Sequence, residues 1–107
     1  MKQPYSHDQF NDESGNPAGG VAAGVGVSVT WQNGPLGRGA DRIEPNGAFV
    51  ETVIAIAVDR LRFYQESRFA CIENAVALGN LEAALRALEN RTLRREALGV
   101  EGTHSGH

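Results

Sequence analysis

The fold is decided by residues 46–98, which read NGAFVETVIAIAVDRLRFYQESRFACIENAVALGNLEAALRALENRTLRREAL. Apolar residues recur there every three or four positions, a spacing typical of helices with one apolar face. Asn46 is a candidate N-cap for the first helix, and the second pattern ends before Gly99. The first apolar stripe is Val50, Val53, Ile54, Ala57 and Leu61, and the second is Leu78, Leu81, Leu85 and Leu88.

The two stripes do not fit one continuous helix. At about 100° per residue, the second stripe would lie roughly 130° around the axis from the first. Two helices joined by a short turn can instead each direct a stripe at the other, which predicts an αα-hairpin. Ser67 is a candidate N-cap for the second helix, so we place the turn near Glu66–Phe69 and expect a second helix of about 28–30 residues.

A β-strand is predicted before the helices. Asn33 and Gly34 form a strong turn signal, and PLGRGADRIEP, residues 35–45, indicates a Gly-rich loop rather than a returning strand. Residues 1–20 are polar and are predicted to form a mobile arm or an edge strand with loops. Within them GNPAGG, residues 15–20, is typical of a turn. The strand is indicated by a strict alternation between apolar residues and small or polar ones. The apolar positions are Val25, Val27, Val29 and Trp31.

The chain has 107 residues, the length of one domain. We predict an α+β protein in which a mobile arm, residues 1–20, precedes a single domain, residues 21–107. That domain comprises a β-strand with a Gly-rich loop (21–45), the helical hairpin (46–98) and a C-terminal loop (99–107). So short a chain buries only a modest core, which favours help from a partner subunit.

Several functional classes are disfavoured by composition. The net charge of −3 lacks the basic excess of a DNA- or RNA-binding protein. Cys71 is the single cysteine, so no intrachain disulfide forms and a reduced, cytosolic thiol is expected. The longest apolar run, residues 48–58, contains Glu51 and is too short to cross a bilayer. Because the N-terminus also lacks an apolar signal-peptide core, we expect a cytoplasmic protein without a membrane partner.

Catalysis is not indicated. His7, His104 and His107 lie in the predicted arm and tail, whereas a general base requires fixed geometry. No Ser-His-Asp order or metal-ligand spacing is present, so we predict no enzyme, no metal and no cofactor. Three acidic residues recur every seven positions on the second helix, but a carboxylate metal site would usually add a His at i+3. A solvated helix face is therefore predicted for Glu82, Glu89 and Glu96.

A few residues suggest an anionic ligand instead. The loop GPLGRG carries Arg38, and such a loop is either an ordinary turn or a phosphate-binding loop, although it lacks the Walker ending. Arg91 and Arg95 lie near the C-terminal end of the second helix, with Arg94 between them. They complement the helix dipole there, but guanidinium groups beside a packing surface also suit phosphate.

An amide and an aromatic cluster complete the candidates. Asn74 falls within the apolar stripe of the second helix, where its amide needs partners: it either caps backbone or contacts the edge of a base. Phe63, Tyr64 and Phe69 lie near the turn and either pack in the core or stack on a base. Asn74 and Arg91 are about 25 Å apart along one helix. If both contact one small nucleotide, they must come from different chains packed antiparallel.

Five stretches resemble a known family: WQNGPLGRGADR (31–42), NGAFVETVI (46–54), DRLRFYQESRFACIEN (59–74), LEAALRALENRT (81–92) and RREALGVEGTH (94–104). The family is that of the phage Thoeris anti-defence sponges, which share a helical-hairpin domain with the anti-CBASS cyclic-nucleotide sponges. The resemblance covers roughly the last three quarters of the chain.

The resemblance implies a non-catalytic protein that binds a cyclic nucleotide immune signal inside an infected bacterial cell and does not cleave it. It implies a small antiparallel β region followed by two long helices, assembled as a homodimer or a higher oligomer such as a hexamer, with pockets between subunits. By motif position, Asn74 contacts the ligand through its amide, and Tyr64 or Phe63 stacks on it. The phosphate-binding residues by the same criterion are Arg91 and Arg95, with Arg38 as a further loop residue.

Three functions follow. The first is sequestration of a cyclic ADP-ribose isomer such as glycocyclic ADP-ribose. The second is sequestration of the cyclic di- or trinucleotides of CBASS immunity. The third is a ligand-free helical-hairpin module that only oligomerises, in which Arg91 and Arg95 would pair with acidic residues across the interface.

Overall fold

A computed structural model describes residues 1–99 and Thr103. It contains two compact units, one including Met1–Phe49 and the other Val50–Ala97. The expected C-terminal loop, residues 99–107, lies outside the described residues except for Gly99 and Thr103. The elements are strands β1 (Tyr5–Asn11), β2 (Pro17–Gly24) and β3 (Val27–Trp31), a 3₁₀ turn (Gly39–Asp41), and helices α1 (Val50–Gln65) and α2 (Ile72–Ala97).

The first unit contains an antiparallel sheet in the order β1-β2-β3. Asp8 of β1 lies opposite Val21 of β2, which lies opposite Thr30 of β3. The small antiparallel β region implied by the resemblance is therefore confirmed. Residues 1–20 were predicted to form either a mobile arm or an edge strand with loops. The structure shows the edge strand, because β1 pairs with β2. Strand β2 also crosses the domain boundary expected at residue 20.

Strand β2 corrects the turn predicted at residues 15–20. Only the start of that segment turns, where Gly15 has φ +82°, and Pro17 already begins the strand. Gly19 is buried because the ring of Phe10 lies over it: an added Cβ would approach Phe10 Cζ to 2.9 Å. A glycine covered by a neighbouring ring can therefore form strand without a branched side chain of its own.

The predicted strand is confirmed as β3, with a shorter start. It begins at Val27, since Val25 and Gly26 form the turn after β2 and Gly26 has φ +77°. The segment after β3 is a loop, as predicted, and it returns as a single parallel bridge between Trp31 and Ala48. Main-chain hydrogen bonds from Gln32 N–H to the Ala48 carbonyl (2.9 Å) and from Ala48 N–H to the Thr30 carbonyl (2.7 Å) hold that return.

Asn46 closes this loop and does not cap a helix, which corrects the predicted N-cap. Its Oδ1 accepts the N–H of Asn33 at 2.8 Å, and its Nδ2 donates to the Asn33 carbonyl at 3.1 Å. The N–H of Asn46 donates to Oε1 of Gln32 at 2.9 Å. Because Asn46 bonds to the residues just after β3 and Ala48 pairs with Trp31, helix α1 starts only at Val50.

The second unit is the predicted αα-hairpin, which is confirmed. The predicted stripe of α1 is only partly buried: Val53, Ile54 and Leu61 are half-buried, whereas Val50 and Ala57 are exposed. The stripe also missed Val58, which is only 3% exposed. Val58 is the one hydrophobic side chain classed as buried among the described residues. In that part of the chain neither helix is long and apolar enough to span a membrane. Four leucines of α2 are half-buried, namely Leu78, Leu81, Leu85 and Leu88.

The turn lies where it was predicted, but Ser67 is not the N-cap of α2. Its Oγ donates to the carbonyl of Tyr64 at 2.6 Å and accepts the N–H of Phe69 at 3.1 Å. These bonds close the end of α1 instead. Helix α2 begins at Ile72, and the carbonyl of Cys71 accepts its first helical hydrogen bond from Ala75 at 3.2 Å. Helix α2 is therefore 26 residues long, shorter than expected.

Candidate ligand site

An aromatic pair lies at the end of α1. The ring centroids of Phe63 and Tyr64 are 6.2 Å apart, with an angle of 53° between the ring planes. Phe63 is 60% exposed and Phe69, in the turn, is 61% exposed, while Tyr64 is half-buried. Of the two alternatives predicted for these residues, core packing does not describe Phe63 or Phe69. Both rings are accessible to a flat ligand such as a nucleobase.

Arg60, which the sequence pattern did not single out, contacts both rings of this pair. The guanidinium carbon of Arg60 lies 5.1 Å from the ring centroid of Phe63 and 4.9 Å from that of Tyr64. Both distances are within cation–π range. Nε of Arg60 also donates to the hydroxyl of Tyr64 at 3.3 Å. The signal was available, because Arg60 precedes the two aromatic residues by three and four positions on one helix.

Asn74 lies in the first turn of α2 and is half-buried. Its Nδ2 is 3.5 Å from the carbonyl oxygen of Phe69, at the outer limit of a hydrogen bond. The amide is therefore placed near the backbone of the turn, as one predicted alternative required, but the bond is long. A ligand edge offering shorter hydrogen bonds would compete with this contact for the Asn74 amide.

The two arginines predicted to bind phosphate differ in exposure. Arg91 is exposed, and it has no hydrogen-bond or ion-pair partner within the described part of the chain. Arg95 is only 4% exposed and takes part in a polar or electrostatic interaction within the chain. In one protomer, Arg91 can therefore reach a dissolved anion directly, whereas Arg95 is enclosed. Arg94 is exposed like Arg91.

Glu82 corrects the predicted solvated acidic face. It is half-buried, and its carboxylate lies 3.6 Å from a terminal nitrogen of Arg62 on the other helix. Glu89 and Glu96 are exposed, as predicted. Of these three acidic residues, Glu82 therefore forms an ion pair with α1 while remaining partly exposed. No group of three or more metal-binding side chains lies among the described residues.

Arg38 belongs to the sheet-containing unit, in the loop that Asn46 closes. It is exposed, lies immediately before the 3₁₀ turn, and makes a polar or electrostatic interaction within the chain. The remaining predicted ligand residues all belong to the hairpin unit. There Phe63, Tyr64 and Asn74 lie at the end next to the turn, while Arg91 lies about 25 Å from Asn74 along α2.

These features define a small α+β protein whose helical hairpin exposes aromatic rings at one end and arginines at the other. The chain matches the family model described as Acb2/Tad1, hairpin domain, over residues 25–93, and it belongs to that family. It is 46% identical over 83 residues to Thoeris anti-defense 1 of Bacillus phage SBSphiJ7. That alignment covers 77% of this chain and 55% of the relative, so the chain spans about half the length of the curated relative it matches. The predicted family resemblance is thus confirmed.

Proposed function

We propose that this protein is an anti-defence sponge, which binds a cyclic nucleotide immune signal and holds it uncleaved. The signal we propose is a cyclic ADP-ribose isomer such as glycocyclic ADP-ribose. One observation carries the proposal: the chain is 46% identical to Thoeris anti-defense 1 over 77% of its own length. The family match, residues 25–93, includes all the predicted ligand residues except Arg95.

The hairpin supports the proposal through the kinds of group it exposes. Base stacking needs an accessible ring, and Phe63 is 60% exposed beside Tyr64. Hydrogen bonding to a base edge needs an amide, which Asn74 supplies. Phosphate binding needs a guanidinium with room to bind, which the exposed Arg91 supplies. Sequestration requires binding alone, so no general base is needed.

A homo-oligomer is part of the proposal because one protomer separates these groups. Asn74 and Arg91 are about 25 Å apart on the continuous helix α2. Antiparallel packing of two copies would bring Asn74 of one chain toward Arg91 of another. We therefore propose that the pocket forms between subunits, with Tyr64 or Phe63 stacking on the ligand, Arg91 and Arg95 near its phosphates, and Arg38 as a loop contact.

Exposed apolar side chains on the hairpin support self-association. They include Ile56 (64% exposed), Ile72 (72%) and Val76 (56%). Another copy of the chain could bury these side chains in an interface. Light scattering after gel filtration tests this: a monomer at micromolar concentration would contradict the shared pocket.

The ligand is tested by the melting temperature of the purified protein with cyclic ADP-ribose isomers and with cyclic di- and trinucleotides. A ligand at one thousand times its dissociation constant stabilises by about 4 kcal/mol, which is a large shift. The bound ligand is then released by heat and its mass is measured. Intact glycocyclic ADP-ribose supports the proposal, and a shift only with cyclic di- or trinucleotides would redirect it to CBASS signals. Altered ligand would mean catalysis, and no shift would leave a ligand-free oligomerisation module.

A further inference from the structure

Arg60 occupies an unusual position for a solvent-exposed arginine. Its guanidinium lies within 5.1 Å of two ring centroids and donates through Nε to the Tyr64 hydroxyl. The Nε–H group is therefore bonded to Tyr64, and the guanidinium packs against the rings of Phe63 and Tyr64. Both terminal amino groups remain without a hydrogen-bond or ion-pair partner in the part of the chain that the structure describes.

The helix offers Arg60 no carboxylate. Its neighbours at three and four positions are Ile56, Ala57, Phe63 and Tyr64, none of them acidic. Arg62, which lies two positions later on a different side of α1, instead pairs with Glu82 across the hairpin at 3.6 Å. Arg60 therefore presents a fixed positive charge beside exposed rings without an internal counter-ion. A guanidinium oriented in this way suits the oxygens of a phosphate.

We propose that Arg60 is a ligand-contacting residue of the nucleotide site. Its terminal amino groups bind a phosphate oxygen, while its Nε and charge fix the orientation of the Tyr64 ring on which the base stacks. The inference rests on the proposed nucleotide binding and deepens it by placing a phosphate contact at the turn end of the hairpin. One helix then supplies both a stacking ring and a phosphate donor, four residues apart.

Arg68 provides a matched control. Its guanidinium carbon lies 4.8 Å from the ring centroid of Phe69, so it makes the same kind of cation–π contact at the same end of the hairpin. It has no hydrogen bond to Tyr64. The variants are Arg60→Ala, Arg60→Lys and Arg68→Ala in the full chain, with Tyr64→Phe to remove only the hydroxyl that Arg60 contacts.

The dissociation constant of glycocyclic ADP-ribose is measured by calorimetry for each variant at low and at physiological NaCl. We expect Arg60→Ala to weaken binding about thirtyfold or more, as loss of a desolvated charge contact does. Arg68→Ala should change it less than about threefold, as expected for an exposed contact. Arg60→Lys should be intermediate because it keeps the charge and loses the planar fork. The NaCl dependence of binding should also be weaker in Arg60→Ala than in the parent protein.

The outcomes separate the two proposals. If the parent protein binds the nucleotide and Arg60→Ala binds as tightly as Arg68→Ala, the role of Arg60 is overturned and the sponge function stands. If affinity falls by the same factor at every NaCl concentration and Tyr64→Phe reproduces the loss, Arg60 only positions the ring and the phosphate contact is overturned. If the parent protein binds no nucleotide of the panel, the sponge function and this inference are overturned together.

Discussion

Gln65 and Cys71 exchange two hydrogen bonds across the hairpin turn. Nε2 of Gln65 donates to the Cys71 carbonyl at 3.1 Å, and the N–H of Cys71 donates to Oε1 of Gln65 at 3.0 Å. One side-chain amide thus joins the last residue of α1 to the residue before α2. It satisfies the N–H of Cys71, and the Cys71 carbonyl accepts the Gln65 amide in addition to the N–H of Ala75.

This bridge predicts that Gln65→Ala destabilises the hairpin by about 1 kcal/mol, the net value of a typical protein hydrogen bond. Gln65→Glu keeps the acceptor and loses the donor, so its loss should be smaller. Urea unfolding followed by helical circular dichroism measures both. Equal stability of all three proteins would mean that the turn is held by Ser67 alone.

Substitution by alanine should change the stability in opposite directions at two glycines. An added Cβ at Gly79 has no neighbour within 4 Å, so Gly79→Ala should stabilise α2 by about 1 kcal/mol through helix propensity. At Gly47 a Cβ would lie 2.5 Å from the carbonyl carbon and oxygen of Trp31. Gly47→Ala should therefore cost about 1–3 kcal/mol through overpacking.

Both effects can be measured separately in the same protein. Trp31 is the single tryptophan, so its fluorescence during urea unfolding reports the sheet unit, while circular dichroism at helical wavelengths reports the hairpin. A loss of stability in Gly79→Ala would contradict the open space around Gly79. It would indicate that a helix of another chain fills that space in solution.

Arg91 and Arg95 should have separable effects because one is exposed and the other is 4% exposed. Arg91→Ala should weaken nucleotide binding and leave the melting temperature of the free protein nearly unchanged. Arg95→Ala should lower stability by about 1–3 kcal/mol without ligand, since it removes a buried, engaged side chain. Arg94→Ala, at a neighbouring exposed position, is the control. A stable Arg95→Ala protein with impaired binding would make Arg95 a ligand contact only.

The Asn46 bridge should hold the loop that carries Arg38. Asn46→Ala removes the acceptor for the Asn33 N–H and the donor to its carbonyl, which should cost about 1 kcal/mol. Asn46→Asp retains the acceptor and should lose less. Hydrogen exchange at the Asn33 amide measures the effect locally, and it should accelerate in Asn46→Ala. Unchanged exchange would show that the bridge between Trp31 and Ala48 holds the loop by itself.

The hairpin could be predicted from sequence because its information is local. Apolar spacing defines both helices, and the change of phase between Leu61 and Leu78 places the turn. Strand β2 could not be found in this way, since Gly19 and Gly20 carry no side chain and are covered by a neighbouring strand. Asn46 has an ordinary N-cap sequence context, and its actual partner is Asn33, 13 positions earlier.

The candidate site was predicted only in part for a similar reason. Tyr64, Phe63 and Asn74 were found as residue types that suit a nucleotide, and the structure places all three at the turn end of the hairpin. Arg60 was missed because an arginine on a polar helix face is usually solvated. Its significance depends on the ring contacts at 5.1 and 4.9 Å. The burial of Arg95 depends on tertiary structure that helical spacing alone does not specify.

The order of the elements has a kinetic consequence. Each strand pairs with its neighbour in the chain, and α1 packs against the helix that follows it. A helical hairpin folds within about milliseconds and a small antiparallel sheet within milliseconds to about a second, whereas a ribosome adds roughly 5–20 residues per second. Synthesis of the 107-residue chain therefore takes seconds, longer than the folding of either unit. The time between transcription of the gene and the appearance of folded chains is set by translation.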